Sequence, residues 1–348
     1  MKKFVVLSLI VSLLLGLAFF ISNCGTGTGG GSAVPTPWIY CGSKSDNSIL
    51  VINGATNASV ESIDISPWSP DHIAASPDGK RIYVSSRTPP TLTTEVVIFD
   101  TTTNTTVEVF NSPIASNCYG MAASHDGKYL YMHDMATTNL YKVYLTAGYT
   151  SEAIPITQRG FKIALNPDST KAYICGGDFT GYIIVDLQTK SLIDKVQFPH
   201  DIKDVAVKGN YAYFTARHSD ASSPDVVAVD IDTDTIAYEL FSSEEYFTGI
   251  ASVPNKNKLY ASNGDDPGKI FIIDSSQPTI ETTVITGEAG ACKFPYYMAA
   301  TADYVYAYDA IATHDKIAVI NISLNEIEEY IYGIDSTDYQ NNPVIVYK

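Results

Sequence analysis

The sequence predicts an all-β chain folded as a seven-bladed β-propeller. Three observations lead there. One unit recurs at intervals of 40 to 48 residues, each unit holds four short strands, and the last strand of the chain fits the first unit. Each unit opens with a strand of small apolar residues. A turn rich in Pro, Asp, Gly and Lys follows, then a strand centred on Tyr, a loop, a strand ending in Asp, a Thr/Asp/Asn turn and a last strand.

The first half of the unit reads IAASPDGKRIYV at 73–84, MAASHDGKYLYM at 121–132, IALNPDSTKAYI at 163–174 and IASVPNKNKLYA at 250–261. Two copies, VAVKGNYAYF at 205–214 and MAATADYVYAY at 298–308, lack part of the turn. The second half recurs as VVIFDTTTN, YIIVDLQTK, VVAVDIDTD, IFIIDSSQP and IAVINISLN. Seven anchoring tyrosines mark the units: Tyr40, Tyr83, Tyr131, Tyr173, Tyr213, Tyr260 and Tyr306. Four alternating strands per unit, with no helical periodicity, make a propeller blade.

The two ends complete each other. WIYCG at 38–42 has no small-apolar strand before it, and NNPVIVYK at 341–348 stops where a Tyr strand should begin. Residues 343–348 are therefore expected to complete the blade begun by about 38–64. Such a splice ties the ring shut and removes an open sheet edge.

The SPDGK-x-x-YV and V-x-x-x-D-T-x-T elements resemble the YVTN-type β-propeller repeat, a relative of WD-repeat folds. The resemblance covers roughly 38–348. It implies the fold and leaves activity open, because the family spans surface proteins, sugar-lactone hydrolases and subunits of redox enzymes.

Before the repeats lie two other segments. Met1–Lys3 is basic and Phe4–Ile21 is apolar, as in a signal peptide or a short anchor. Ile21-Ser22-Asn23-Cys24 resembles a bacterial lipobox, with Asn23 departing from the usual Gly or Ala. The expected division is a lipoprotein signal peptide over 1–23, a lipidated Cys24 and Gly-rich tether over 24–37, and the propeller over 38–348. An uncleaved helical anchor is the alternative. GTGTGGGS at 25–32 packs nothing and serves as a flexible linker. Acyl chains on Cys24 would anchor the chain in the cell envelope, and Gly25, where a retention Asp could stand, points to the outer membrane. The net charge of −16 sets nucleic acid aside as a partner.

In a propeller, the loops leading into the innermost strands and the loops after the Tyr strands share one face, the top. The first set offers His72, Lys162, Asp204, Tyr296 and Tyr297. The second offers Arg87, His133, Asp178, Arg217, His218, Asp265, Asp266 and His314. Such a polar funnel is where a ligand usually binds. Solvated loop residues are the plain alternative. Asp265 and Asp266 suit a divalent cation or a turn before Pro267-Gly268, and the turn is favoured. Asp230–Asp234 begins like a calcium loop. It lacks the later Gly and Glu and falls where every blade has its turn, so no metal is expected.

Four cysteines follow Cys24. The blade order places Cys118 with Cys175, and Cys41 with Cys292, across neighbouring blades as candidate disulfides, with buried thiols as the alternative. No C-x-x-C, haem-attachment or zinc spacing occurs, so no cofactor is expected. There is no G-x-S-x-G, P-loop, dinucleotide fingerprint or H-E-x-x-H, and the catalytic residues are unassigned. The expected function is a membrane-anchored propeller that binds a protein partner or extracellular ligand without catalysis. The alternatives are a lactonase-like hydrolase using His72, Arg217 and His218, or a scaffold subunit of a periplasmic redox complex.

Overall fold

In the computed structural model the chain divides into two units, Met1–Pro35 and Thr36–Lys348. The structure describes residues 36–348 except 89–92, 115–117, 135, 147, 178, 219–222, 243–245, 265–267, 286–294, 310–315, 333–343 and 348. The expected signal peptide, Cys24 and all but the last residues of the tether thus lie outside the described residues, as does Cys292.

The first blade opens with β1 (Pro37–Ser43), β2 (Ser48–Asn53) and β3 (Ala58–Asp64). Blade 2 holds β4 (Pro70–Ala75), β5 (Arg81–Thr88), β6 (Thr93–Asp100) and β7 (Thr105–Asn111). Blade 3 holds β8 (Cys118–Ala123), β9 (Tyr129–Asp134), β10 (Asn139–Tyr144) and β11 (Ser151–Pro155). Blade 4 holds β12 (Lys162–Leu165), β13 (Lys171–Cys175), β14 (Gly181–Asp186) and β15 (Ser191–Gln197). Blade 5 holds β16 (Asp201–Lys208), β17 (Tyr211–Arg217), β18 (Val226–Asp230) and β19 (Ile236–Leu240). Blade 6 holds β20 (Phe247–Ser252), β21 (Lys258–Asn263), β22 (Lys269–Asp274) and β23 (Thr279–Ile285). Blade 7 holds β24 (Pro295–Ala300), β25 (Tyr304–Asp309), β26 (Lys316–Asn321) and β27 (Glu326–Tyr332). The last strand, β28 (Val344–Tyr347), joins the first blade.

Seven four-stranded antiparallel sheets result, and the first has the order β28-β1-β2-β3. Trp38 faces Val346 and Tyr40 faces Val344 across the splice. The seven-bladed propeller closed by its C-terminal strand is therefore what the chain forms.

The repeat residues build the turns of one end of the ring. In blade 2, Asp78 Oδ1 accepts from Ser76 Oγ at 2.6 Å and from Lys80 N at 3.0 Å, while Gly79 takes φ +69°. Ser124 and Asp126 repeat this in blade 3. The strand-ending Asp is an Asx-turn acceptor: Asp100, Asp186, Asp230 and Asp274 each bind the backbone N–H two residues on. Asp230 thus belongs to a turn, as the repeat implies.

In blades 1, 6 and 7 the second-strand Tyr reaches the outer turn of the next blade. Tyr40 OH bonds Asn104 Oδ1 at 2.8 Å, Tyr260 OH bonds Asn325 Oδ1 at 3.2 Å, and Tyr306 OH bonds Asn57 Oδ1 at 2.7 Å. The last of these clamps blade 7 to blade 1. Blade 5 departs from the pattern. Asp234 stands where blades 1, 2 and 7 have Asn and takes Lys171 Nζ at 2.7 Å, and Tyr173 OH has no partner.

The core consists of seven clusters, one in each gap between adjacent blades. The alternation expected of the strands is weak where this packing is tightest. β2, β14 and β26 are buried at nearly every position, because both faces of a blade pack against neighbours. Only the outermost strands, such as β3 and β15, present side chains to solvent along most of their length.

Cys41, Cys118 and Cys175 are buried thiols. The pairing of Cys118 with Cys175 does not form, and Cys41 is not half of a disulfide either. Cys118 Sγ instead donates to Gly120 O at 3.4 Å, within a bulge of its own strand. Burial pushes the Cys41 thiol up to about 12, and raises Cys175 well above the usual thiol range with help from Asp204. Both are therefore protonated and unreactive near neutral pH.

Candidate functional site

The innermost strands line a central cavity of about 300 Å³. Most of its wall is small or apolar, from Ala74 and Ala122 to Met121, Ile250 and Met298. Three ionisable residues interrupt that wall: His72 on β4, Lys162 on β12 and Asp204 on β16. All three are buried, as is His133. They are buried strand residues lining the cavity, so the reading as solvated loop residues fails for them.

Backbone irregularity places two of the three. Five of the seven innermost strands break register, four of them at Pro70/His72, Cys118/Gly120, Ile202/Asp204 and Pro295/Tyr297. A fifth break lies at Phe247/Ile250. A bulge re-aims the side chains that follow it. His72, Asp204 and Tyr297 each resume pairing just after one.

Burial disfavours charge on every member of the set. It holds Lys162 down to about 8, opposed by the attraction of Asp204. It raises Asp204, opposed by Lys162 and by hydrogen bonds from Ile250 N at 3.1 Å and Val205 N at 2.8 Å. Burial, Lys162 and His133 together hold His72 well below the usual histidine range, so His72 is neutral. The Lys162 ammonium sits 3.8 Å from the centre of the Tyr297 ring, a cation–π contact. His133 is wedged against two glycines. A Cβ on Gly120 would meet its Nε2 at 2.2 Å, and one on Gly160 its Cε1 at 3.4 Å.

A second pocket of about 290 Å³ lies where blades 4, 5 and 6 meet, lined by Thr180, Pro199, His200, Asp201, Arg217, His218 and Tyr246. Arg217, the last residue of β17, places its guanidinium carbon 4.8 Å from the centre of the Tyr246 ring, a cation–π contact. His218 Nε2 bonds Asp225 Oδ1 at 2.8 Å, both side chains fully buried. Asp225 also accepts from Ser242 N, and its backbone ties β17 to β19 through Ala216 N and Leu240 O. The His200 ring stands 5.6 Å from that of His218, and its Nε2 bonds Ser223 Oγ at 2.5 Å.

The sequence-expected residues thus divide into two sets. His72, Lys162, Asp204 and Tyr297 surround the channel, with His133 packed behind. Arg217 and His218 belong to the second pocket. Arg87 lies on β5 and Tyr296 on β24, with side chains outside the described residues; Asp178, Asp265, Asp266 and His314 lie outside them altogether. Tyr246, Ser223 and Asp225 escaped the sequence reading. They stand in loops or strand starts of no fixed place in the repeat, and only the ring brings them to Arg217. Among the described residues no group of three metal-ligating side chains converges.

No protein-family model matches the chain, and no curated protein does. Solved structures do. Hydrazine synthase from Kuenenia stuttgartiensis aligns at a TM-score of 0.62 and 14% identity, over 73% of this chain and 77% of that one. Dihydro-heme d1 dehydrogenase NirN in complex with DHE aligns at 0.60 and 14% identity, over 85% of this chain and 63% of that one. At this identity the likeness is one of fold, and it bears out the propeller.

Proposed function

We propose that this chain is an extracytoplasmic propeller, anchored by lipid on Cys24 to the cell envelope, that holds a protein partner or extracellular ligand on its top face and catalyses nothing. One observation carries the reading. Buried His72, Lys162 and Asp204 converge on the channel and buried His218 lines the second pocket, whereas the clusters between the blades are built of apolar side chains. Buried charge costs stability, and a binding face is where that cost is commonly retained.

The test is a crosslinked pull-down from native membranes with the full chain, its tag spaced from Lys348 because β28 closes the ring. A single stoichiometric partner, lost in Lys162→Met or Arg217→Ala, is expected. Capture unaffected by either substitution, or no partner at all, would overturn the protein-partner form. Metabolic acyl labelling lost in Cys24→Ser checks the anchor.

One observation favours a hydrolase instead: Ser223 Oγ lies 2.5 Å from His200 Nε2, the spacing of a nucleophile and its base. Labelling by a fluorophosphonate, abolished in Ser223→Ala, would select that reading. The fold shared with a hydrazine synthase and a dihydro-heme d1 dehydrogenase supports a scaffold role in a redox complex. A haem- or flavin-bearing partner in the pull-down would identify it.

A further inference from the structure

The central cavity has a lysine in its wall. Lys162 is 8% exposed and lines the 300 Å³ space together with Asp204 and His72. Lys142 and Lys316 are equally buried, but they lie over the rings of Tyr129 and Tyr330, on β10 and β26, and line no part of that cavity. An apolar cavity of about 150 Å³ holds benzene. The space beside Lys162 therefore admits an organic molecule of a few carbons.

What the wall offers such a molecule is an amine. Burial holds it down to about 8, against an ordinary 10.5. At pH 7 roughly a tenth of it is neutral and nucleophilic, against about one part in 3,000 for an ordinary lysine. Positive charge on that nitrogen is held from two sides. Asp204 attracts it, with its carboxylate fixed by Ile250 N and Val205 N. The centre of the Tyr297 ring lies 3.8 Å from Nζ. An iminium keeps the charge of the ammonium it replaces, so both attractions outlast its formation. A ligand with a carboxylate of its own would meet the like charge of Asp204 in the same cavity.

We propose that Lys162 is a carbonyl-capture site, whose amine forms a reversible imine with a small uncharged aldehyde in the central cavity. Nζ attacks the carbonyl carbon, a C–N bond forms, and the C–O bond breaks. The oxygen leaves as water with two of the three ammonium protons. Charge is conserved, and no oxidant or reductant takes part. The inference rests on the binding reading above and names the ligand class of the channel.

The test is trapping of the imine in the full chain in detergent. Butanal or 4-oxobutanoate is added between pH 6 and 9, samples are quenched with sodium borohydride, and peptide mapping locates the reduced adducts. At pH 7 butanal reaches Lys162 at least about tenfold faster than any other lysine. 4-Oxobutanoate, the same chain carrying a carboxylate, reaches it roughly tenfold more slowly than butanal. Lys162→Arg loses the fast phase. The rate of capture rises with pH through a midpoint near 8. Asp204, Tyr297, His72, Cys118 and Cys175 face the amine, and Asp204 exerts the strongest attraction among the charged and titratable ones. Asp204→Asn therefore moves the midpoint lower.

Labelling of Lys162 no faster than that of other lysines would overturn the proposal, as would equal capture of the two aldehydes. Both comparisons use the parent chain and depend on the folding of no variant. An unmoved midpoint in folded Asp204→Asn would overturn it too. A partner captured in the pull-down while Lys162 stays unlabelled removes this ligand class and leaves the binding reading standing. Absence of both removes the two together.

Discussion

The two ends of the ring obey different rules. Antiparallel order puts the first and third turns of every blade at one end and the remaining connections at the other. At the turn end the polar groups of the repeat are paired with one another, the exceptions being Tyr173 OH and Asp234 Oδ1 beside blade 5. Asp78 and Asp126 cap their turns, Asp100 and Asp230 cap theirs, and Tyr40, Tyr260 and Tyr306 clamp the next blade. At the other end Lys162 and Asp204 are held away from their ordinary titration, and His218 keeps an unsatisfied nitrogen. Stability is concentrated where the repeat is regular, and chemistry where it is broken.

The largest effect that would test this contrast is at Gly177, near the irregular end. Its φ is +93°, and a Cβ would lie 2.1 Å from Arg159 O, a backbone atom with no room to yield. Gly177→Ala should cost about 3 kcal/mol in denaturant unfolding. A change near zero would show that the top-face backbone is looser than the structure has it.

Next comes the pH dependence of Lys162. Its folded value of about 8 lies below the ordinary 10.5. Below pH 8 the amine is protonated in both states and its burial opposes folding. Between about 8 and 10.5 the unfolded chain binds more protons, so stability should rise with pH. The full difference is about 3 kcal/mol. Unfolding midpoints at pH 7, 8, 9 and 10 should show that rise in the parent and lose it in Lys162→Met. Parallel curves would place the ammonium in water.

A matched pair sharpens the clamp side. Tyr306→Phe removes the bond to buried Asn57 and should cost about 1–3 kcal/mol. Tyr173→Phe removes a hydroxyl with no partner and should be neutral or slightly stabilising. Equal costs would mean that packing of the ring, not the clamp, holds the blades. The smallest effect is expected at exposed Arg217, where Ala should change stability by less than about 0.5 kcal/mol. A larger loss would make Arg217 a structural residue and remove it from the binding site.

The turn end was legible because its physics is local. An Asp that caps its own turn, and a Gly at φ +69°, sit at fixed offsets from the Tyr, so each copy announces the next. Even ring closure could be read, since one unit lacked a strand and the chain ended with one to spare. The channel was legible only as a face. His72, Lys162 and Asp204 were recognised as top-face residues, while the bulges that turn His72 and Asp204 inward leave no mark in composition or spacing. The second pocket was half seen. Arg217 and His218 are adjacent in sequence, but Asp225 and Tyr246 reach them through loops of unequal length. The disulfide pairing failed because blade adjacency sets which cysteines are neighbours and not where their side chains point; Cys118 spends its thiol on the Gly120 carbonyl.

The splice of β28 onto β1 also fixes when this chain can finish folding. Tyr306 and Asn57, 249 residues apart, can be held together only in a ring whose last gap has closed. The strand completing the first blade is synthesised after the six other blades. Until residues 344–347 emerge, the first blade has an unpaired inner edge and the cluster that joins it to blade 7 is incomplete. Contacts of such sequence separation form slowly, because the entropy of closing the loop is lost before the contacts compensate it. The growing chain is thus an open, edge-exposed intermediate until residues 344–347 arrive, and deleting them would leave it there.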